Sequence, residues 1–289
     1  MKRTFLILLL LGGLPFSANL SAQQKPDVEA DNEQPAKTSV QYPLAIAIGK
    51  SSQFIVDLDL PGIWKLGEDG QLALFVQGSK WIRKPLNRPR CVAVLETGEL
   101  LVGDTPTREV YRIAADGGEP KPLTNGGIGI PMSIAVDANQ TVYVADLETH
   151  TIVRFPLETG KVETFVKANT RGISIDSQGR LWAVMQNATQ LVRFDADGKG
   201  TEIVRERIFE FPHNVVVLEN GTAFVTDGYA KAVWRVPVDG TPEKWISGEP
   251  MKNPVGLALQ GEHLLVADPH AKQIFRIEIE TKQIQPMIK

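Results

Sequence analysis

The chain repeats one unit of about 40 residues six times, and this repeat limits the possible folds more than any other feature. The copy that starts at Pro131 contains two short β-branched runs separated by the turn Asp137–Gln140. Two further apolar runs follow, separated by Glu158–Gly160. Short alternating runs bounded by Asn, Asp and Gly indicate strands joined by tight turns. Each unit is therefore predicted to contain four antiparallel strands.

The six copies keep the same register. They begin at Pro43, Pro89, Pro131, Thr170, Pro212 and Pro254. The second strand ends at an aspartate in five copies: Asp57, Asp104, Asp146, Asp227 and Asp268. Met185 takes this position in the fourth copy. A basic residue stands eight positions later in every copy: Lys65, Arg112, Arg154, Arg193, Arg235 and Arg276.

A four-stranded repeat of this length is typical of a propeller blade. A blade exposes two apolar faces and must stack on neighbours, so the copies are expected to close into a ring. We predict an all-β fold, a six-bladed β-propeller of four-stranded antiparallel blades, over residues 43–289. One open alternative for ring closure is that Ser39–Tyr42 adds an outer strand to the sixth blade.

The first 42 residues differ in character from the repeats. Lys2 and Arg3 precede the apolar run Phe5–Leu11, and small residues extend to Ala22, which predicts a signal peptide over residues 1–22. The apolar run is too short for a stable membrane span. An anchor that is not removed is the alternative. Residues 23–42 are polar and predicted to be a disordered leader, so we expect a periplasmic or secreted protein.

Charge and cysteine content restrict the partners. The formal net charge is −3, which does not suggest nucleic acid as a partner. Cys91 is the single cysteine, so no intramolecular disulfide can form. Its place in a first strand predicts a small buried residue. We expect a monomer.

One rim of the propeller is the predicted functional site. When strands run outward from the axis, the loops before strand one and after strand two share a rim. The residue after each blade-opening position is then expected to point to the axial funnel. These residues are Leu44, Arg90, Met132, Arg171, His213 and Val255.

This set contains cations and no acid. Arg90, Arg171 and His213 come from three blades and favour a carboxylate, sulfate or phosphate, which Arg binds bidentately. Met132 would supply an apolar wall and Asn214 a neutral donor and acceptor. The predicted partner is an anionic small molecule, glycan or peptide.

The loop Lys80–Arg88 adds further positive charge and Trp81 near the same rim. In the alternative interpretation, Arg90 and Arg171 pair with Asp104 or other rim carboxylates and fasten the blades together. The five recurrent aspartates are predicted to be structural, because they recur in nearly every blade.

A metal site is disfavoured. His213, Asp268 and His270 form a weak candidate set, but neighbouring guanidinium groups would repel a dication. We therefore expect no cofactor.

Two segments carry a family resemblance: IPMSIAVDANQTVYVADLETHTIVRF and NPVGLALQGEHLLVADPHAKQIFRI. They resemble NHL repeats and the wider SMP-30/gluconolactonase-like propellers, which include strictosidine synthase-like proteins and virginiamycin B lyase. The resemblance covers Pro43–Lys289 and implies a six-bladed, TolB-like architecture. It is compatible with lactonases, lyases, synthases and binding modules.

The site residues that the resemblance implies are mostly missing. In the lactonases, Glu, Asn and Asp at the funnel ends of first strands hold a divalent metal, and the six matching positions here offer no carboxylate. The lyase resemblance implies funnel histidines, and only His213 fits. Binding is therefore the first interpretation. The alternative is a lactone hydrolase or lyase in which His213 is the general base and Arg171 holds substrate charge.

Overall fold

A computed structural model describes residues 39–288. The expected signal peptide, and the leader up to residue 38, lie outside the described residues. The described part contains 24 strands in six antiparallel sheets of four, and it contains no helix. No segment of it is therefore a helix able to span a bilayer. The predicted fold class, a six-bladed all-β propeller, is confirmed.

The first three blades follow the order of the chain. Blade 1 consists of β1 (Pro43–Ile48), β2 (Ser52–Asp57), β3 (Gly62–Gly67) and β4 (Leu72–Gln77). Blade 2 consists of β5 (Pro89–Val94), β6 (Leu100–Asp104), β7 (Glu109–Ala114) and β8 (Gly117–Pro122). Blade 3 consists of β9 (Pro131–Val136), β10 (Thr141–Asp146), β11 (Thr151–Pro156) and β12 (Glu163–Lys167).

The last three blades repeat this arrangement. Blade 4 consists of β13 (Thr170–Ile175), β14 (Leu181–Met185), β15 (Leu191–Phe194) and β16 (Gly200–Val204). Blade 5 consists of β17 (Pro212–Val217), β18 (Ala223–Asp227), β19 (Ala232–Val236) and β20 (Glu243–Ser247). Blade 6 consists of β21 (Gly256–Gln260), β22 (His263–Asp268), β23 (Gln273–Glu278) and β24 (Ile284–Pro286).

Strand order runs outward from the axis. Within each sheet the strands are neighbours in sequence order. The first strand of every blade contacts the first strands of the two adjacent blades, so these six strands surround the axis. The second strand is buried along almost its whole length, and in β2 at every residue, because it lies mid-sheet between two other blades. The fourth strand, as in β8, is largely exposed.

The hydrophobic core lies between the blades. The cluster between blades 1 and 2, for example, contains Phe54, Ile63, Leu100 and Ile113, all buried. Equivalent clusters fill the other junctions among the described residues. Since burial of a large apolar side chain contributes roughly 1.5–3 kcal/mol, packing between blades dominates the stability of the ring.

The ring closes by packing and not by an added strand. The alternative that Ser39–Tyr42 adds an outer strand to blade 6 is wrong, because these residues have no strand conformation. The fourth strand of blade 6 is Ile284–Pro286. Val40, 2% exposed, instead packs in the cluster between blades 6 and 1. The Asp57 carboxylate accepts hydrogen bonds from the backbone N–H groups of Gln41 (2.7 Å) and Tyr42 (2.9 Å), which holds this segment as a loop.

The recurrent aspartates hold the loops that lead into each blade. Asp227, fully buried, accepts hydrogen bonds from the backbone N–H groups of Glu210 (2.8 Å) and Phe211 (2.9 Å) before β17. It also accepts from the N–H of Ala230 and from Nε1 of Trp234, both at 3.2 Å. Backbone N–H groups at the matching positions donate to the other four aspartates. These carboxylates therefore connect two loops of one rim.

Blade 4 has a different connection, which accounts for Met185. Only Ala168 and Asn169 separate β12 from β13. The N–H of Ala168 donates to the carbonyl of His150 (2.9 Å). The Thr170 hydroxyl donates to the carbonyl of Val184 (2.6 Å), where the other blades begin with proline. With such a short connection held by these bonds, a carboxylate is not needed at position 185.

Candidate functional site

The starts of the six first strands surround one cavity of about 250 Å³. All six residues that the repeat alignment predicts for the funnel line this cavity: Leu44, Arg90, Met132, Arg171, His213 and Val255. Asn214, the additional predicted donor, lines it as well. The structure therefore brings together residues that are more than 200 positions apart in the sequence.

A β-bulge aims most of these side chains at the axis. The pairing between first and second strands skips one residue at the start of blades 1 to 5: Leu44, Arg90, Met132, Arg171 and His213. A bulged residue has no cross-strand partner and is turned out of the regular alternation. Val255 in blade 6 lies just before β21, and its N–H donates to the carbonyl of Ala267 (2.9 Å).

Arg171 is a half-buried cation without an acidic partner. Its guanidinium carbon lies 4.9 Å from the centroid of the Phe211 ring. Its Nε atom is buried and donates no hydrogen bond to any described residue. Burial lowers the pKa of Arg171 from its ordinary value, although an Arg remains charged at neutral pH. The positive charge is thus held by an aromatic face and directed into the cavity.

Arg90 adds a second cation from blade 2. Its Nε atom donates to the Thr105 hydroxyl (2.9 Å). Burial lowers the pKa of Arg90, and the charges of Arg88 and Arg171 lower it further. The alternative pairing with Asp104 is not formed, because that carboxylate accepts from the Arg88 N–H (2.7 Å) and the Thr107 hydroxyl (2.6 Å). Among residues 39–288, neither cavity arginine forms an ion pair.

His213 lies beside these cations as a neutral ring. Burial lowers its pKa from 6.5 to about 4, and the Arg171 charge acts in the same direction, while Asp227 opposes them. The Phe211 ring meets the imidazole edge-on, with centroids 4.9 Å apart. No described side chain forms a hydrogen bond that would orient the imidazole. His213 can therefore accept a proton or a hydrogen bond from a ligand at neutral pH.

The cavity is poorly suited to a divalent metal. Among the described residues, its lining has one imidazole, two amides and two guanidinium groups, with no carboxylate. Hard cations are bound by oxygen ligands that usually include carboxylates, and nearby guanidinium charge opposes them. The weak candidate set of His213, Asp268 and His270 does not come together as a ligand cluster within the described chain. The Asp268 carboxylate accepts four backbone N–H groups instead.

Several lining residues were missed by sequence reasoning. Tyr42, Leu58 and Asn253 also face the cavity. They come from the loops before the first strand and after the second strand, which the repeat alignment did not cover residue by residue. The sequence signal that could have found them is their place directly before a blade-opening proline, for Tyr42 and Asn253, or directly after a recurrent aspartate, for Leu58. Trp81, in contrast, is 72% exposed and does not line the cavity.

Cys91 forms part of the cavity wall but is not a reactive group. Its side chain is 3% exposed, and its Sγ atom donates to the carbonyl of Pro131 (3.5 Å). Burial raises the pKa of the thiol to about 12. A thiol that stays protonated is a poor nucleophile.

The sequence matches a known protein family. The profile of the SMP-30/Gluconolactonase/LRE-like region matches residues 63–216, just over half of the chain. The matched region includes Arg90, Met132, Arg171 and His213.

Individual proteins that are similar to this chain share less than 30% of its residues. The chain is 27% identical over 230 residues to peptidyl-glycine alpha-amidating monooxygenase A of Xenopus laevis, covering 67% of this chain and 24% of that protein. It therefore spans about a quarter of the length of that relative.

A gluconolactonase of Xanthomonas campestris has a similar structure, with a TM-score of 0.70 and 12% identity, covering 86% of this chain and 87% of that one. A streptogramin B lyase has a TM-score of 0.64 and 16% identity, covering 86% and 84%. At these identities the two structures show a shared fold only.

Proposed function

This chain belongs to the SMP-30/Gluconolactonase/LRE-like family, and from that premise we propose that it is an exported propeller that binds an anionic ligand in the axial cavity. The ligand class is a small molecule, or the end of a glycan or peptide, with a carboxylate, sulfate or phosphate group. The family alone does not select this function, because its fold serves both enzymes and binding modules.

One observation carries the proposal: Arg90 and Arg171 both line the cavity, and no acid from the described part of the chain lines it with them. Burial lowers the pKa of each guanidinium, so each charge is held in a site that solvates it poorly. A bound anion would offset the desolvation energy of the two guanidinium groups and would accept charge-assisted hydrogen bonds from them. The buried Nε of Arg171 has no acceptor among the described residues, and its other nitrogens are free of ion pairs.

The size and lining of the cavity narrow the ligand further. A volume of about 250 Å³ is at the small end for ligand sites, so it suits one charged group with a short body. Leu44, Met132 and Val255 supply an apolar wall for that body. The amide of Asn253 and the neutral ring of His213 can form hydrogen bonds to hydroxyl groups.

Calorimetric titration with gluconate, glucuronate, sulfate and phosphate tests the proposal. We expect at least one of these anions to bind, and the variant with R90Q and R171Q to lose that binding. Arg193 is the matched control, because its guanidinium lies 5.7 Å from the Trp182 ring, its Nε is also buried without a partner, and it does not line this cavity. Equal loss of binding in R193Q, or binding that survives in the double variant, contradicts the proposal.

A second candidate function is a lactone hydrolase or lyase. The observation that favours it is a neutral His213 close enough to Arg171 for the guanidinium charge to lower its pKa. A neutral imidazole can accept a proton from water or from a substrate carbon, while an adjacent guanidinium stabilises the negative charge that develops. The absence of an orienting partner for His213 among the described residues makes this the second choice.

Lactone hydrolysis assays distinguish the two functions. If the protein is a hydrolase, we expect turnover of sugar lactones that H213A removes while anion binding remains. Assays with added Ca²⁺, Mn²⁺ and Zn²⁺ and with EDTA show whether a metal contributes. Binding without turnover under all of these conditions supports the binding function alone.

A further inference from the structure

The two faces of the propeller carry opposite charge. Strand order within each blade places the loops before first strands and after second strands on the face with the cavity. In the described residues these loops contain ten Lys and Arg against five Asp and Glu. The loops of the opposite face contain five Lys and Arg against fourteen Asp and Glu. The protein therefore has one basic face, although the formal net charge of the chain is −3.

Exposed apolar side chains are concentrated on the basic face. Five large hydrophobic residues of the described chain are exposed, and three of them lie in loops of this face: Trp81 at 72%, Ile82 at 76% and Tyr229 at 69%. Trp81 and Ile82 are adjacent at the tip of the loop Gly78–Arg88. This loop has eleven residues, more than any other described connection between blades.

The loop is a defined structure and not a loose segment. The N–H of Lys84 donates to the carbonyl of Trp81 (3.2 Å), which closes a turn at the tip. The Asn87 side chain donates to the carbonyl of Ser79 (2.9 Å) across the base. Leu86 is fully buried in the core between blades 1 and 2. The base is thus anchored while the tip extends into solvent.

We propose that the loop Gly78–Arg88 docks the basic face of this protein onto an anionic lipid surface. Trp81 and Ile82 would lie at the boundary between headgroups and acyl chains, where tryptophan is favoured and where surface-bound segments bury their apolar side chains. Arg83, Lys84 and Arg88, all exposed, stand beside them and attract anionic headgroups. The rest of the basic face adds longer-range attraction.

The combination of features favours a membrane over a soluble polyanion. A soluble polyanion can be bound by cations alone and does not require an exposed Trp–Ile pair at a loop tip. Stable interfacial binding instead needs two signals, an apolar insertion and basic residues beside it. This loop supplies both within four consecutive residues, Trp81 to Lys84.

Tryptophan fluorescence offers a specific readout. Of the five tryptophans, Trp64, Trp182, Trp234 and Trp245 are all below 9% exposed, and only Trp81 reaches solvent. Added vesicles of phosphatidylcholine mixed with phosphatidylglycerol should shift the emission of Trp81 to shorter wavelength and protect it from acrylamide. Vesicles of pure phosphatidylcholine should have a much smaller effect, and added salt should reverse the binding.

Cosedimentation of variants of the full chain with the same vesicles tests whether the residues at the loop tip contribute to vesicle binding. I82E, which keeps Trp81 as the probe, is expected to lower the partition coefficient by about tenfold, and R83Q with K84Q by a similar factor. V238E is the matched control, because Val238 is 73% exposed in a loop of the acidic face. Every variant begins at the same residue, so any contribution from the segment before residue 39 is common to all.

Three outcomes overturn the proposal. The first is no cosedimentation with the anionic vesicles, and the second is an equal loss in V238E and I82E. The third is binding to heparin with no change in Trp81 emission on addition of vesicles, which would assign the basic face to a soluble polyanion.

Discussion

The guanidinium of Arg171, from blade 4, lies over the ring of Phe211, from the loop that leads into blade 5, with 4.9 Å between the guanidinium carbon and the ring centroid. Phe211 also meets His213 edge-on and stacks on Tyr229, with centroids 4.6 Å apart and an interplanar angle of 16°. One aromatic side chain therefore contacts both Arg171 and His213, two of the groups that the proposed function uses.

Replacement of Arg171 is expected to affect binding more than stability. R171Q should weaken anion affinity by about tenfold or more, since a hydrogen bond to a charged group contributes about 1.5–3 kcal/mol. It should change the free energy of unfolding by less than about 1 kcal/mol, a shift of a few degrees in Tm. Loss of the cation–π contact is offset because a poorly solvated charge is removed. Calorimetry and thermal unfolding measure the two effects, and cooperative unfolding lost at room temperature would contradict this account.

Stability is expected to fall in acid in part because of His213. The folded-state pKa of about 4 lies below the ordinary 6.5, so the unfolded chain binds the proton more tightly. This contribution is fully present above pH 6.5 and is lost as the pH falls toward 4, by about 3 kcal/mol. Urea midpoints at pH 7 and pH 4.5 should therefore differ less in H213Q than in the unmodified protein. H150N, at an exposed loop histidine, is the matched control, and an equal change in the two variants would contradict this account.

Loss of the Asp227 carboxylate should destabilise the fold and the site together. D227A leaves the N–H groups of Glu210 and Phe211 without their acceptor, with an expected cost of about 3 kcal/mol. Because Phe211 holds Arg171 and His213, anion affinity should also fall. D239A is the control, since Asp239 accepts a single exposed bond from the Thr241 N–H (3.1 Å), and we expect less than about 1 kcal/mol there. Equal destabilisation of the two variants in urea would argue against a special role for Asp227.

Replacing Met185 by the aspartate that the other five blades have at this position is expected to destabilise the protein. Position 185 is aspartate in the other five blades, so a consensus substitution would be expected to stabilise. In this structure Met185 is 7% exposed, and its neighbouring connection is held by Thr170 and by backbone bonds. M185D would bury a carboxylate without the loop N–H donors of the other blades, so we expect a loss of about 2–3 kcal/mol. An increase in Tm would show that the two-residue connection can supply those donors.

The repeat register was sufficient to predict the architecture. Alternation of apolar residues and turn signals are local properties, and six copies of one four-stranded unit can bury their apolar faces only by stacking in a ring. The same register predicted which residue of each blade faces the axis, because equivalent positions in equivalent blades are related by rotation. Leu44 and Val255 therefore reach one cavity although blades 1 and 6 lie at opposite ends of the repeat array.

Only the tertiary structure decided the properties that depend on contacts between blades. The sequence shows that Arg90 and Arg171 are basic, but not that Asp104 already accepts other hydrogen bonds and leaves them unpaired. It shows His213, but not the burial and nearby charge that lower its pKa to about 4. Ring closure without an added strand likewise rests on Val40 packing between blades 6 and 1. The physical reason is that charge pairing and desolvation are set by residues distant in sequence, whose positions no local pattern records.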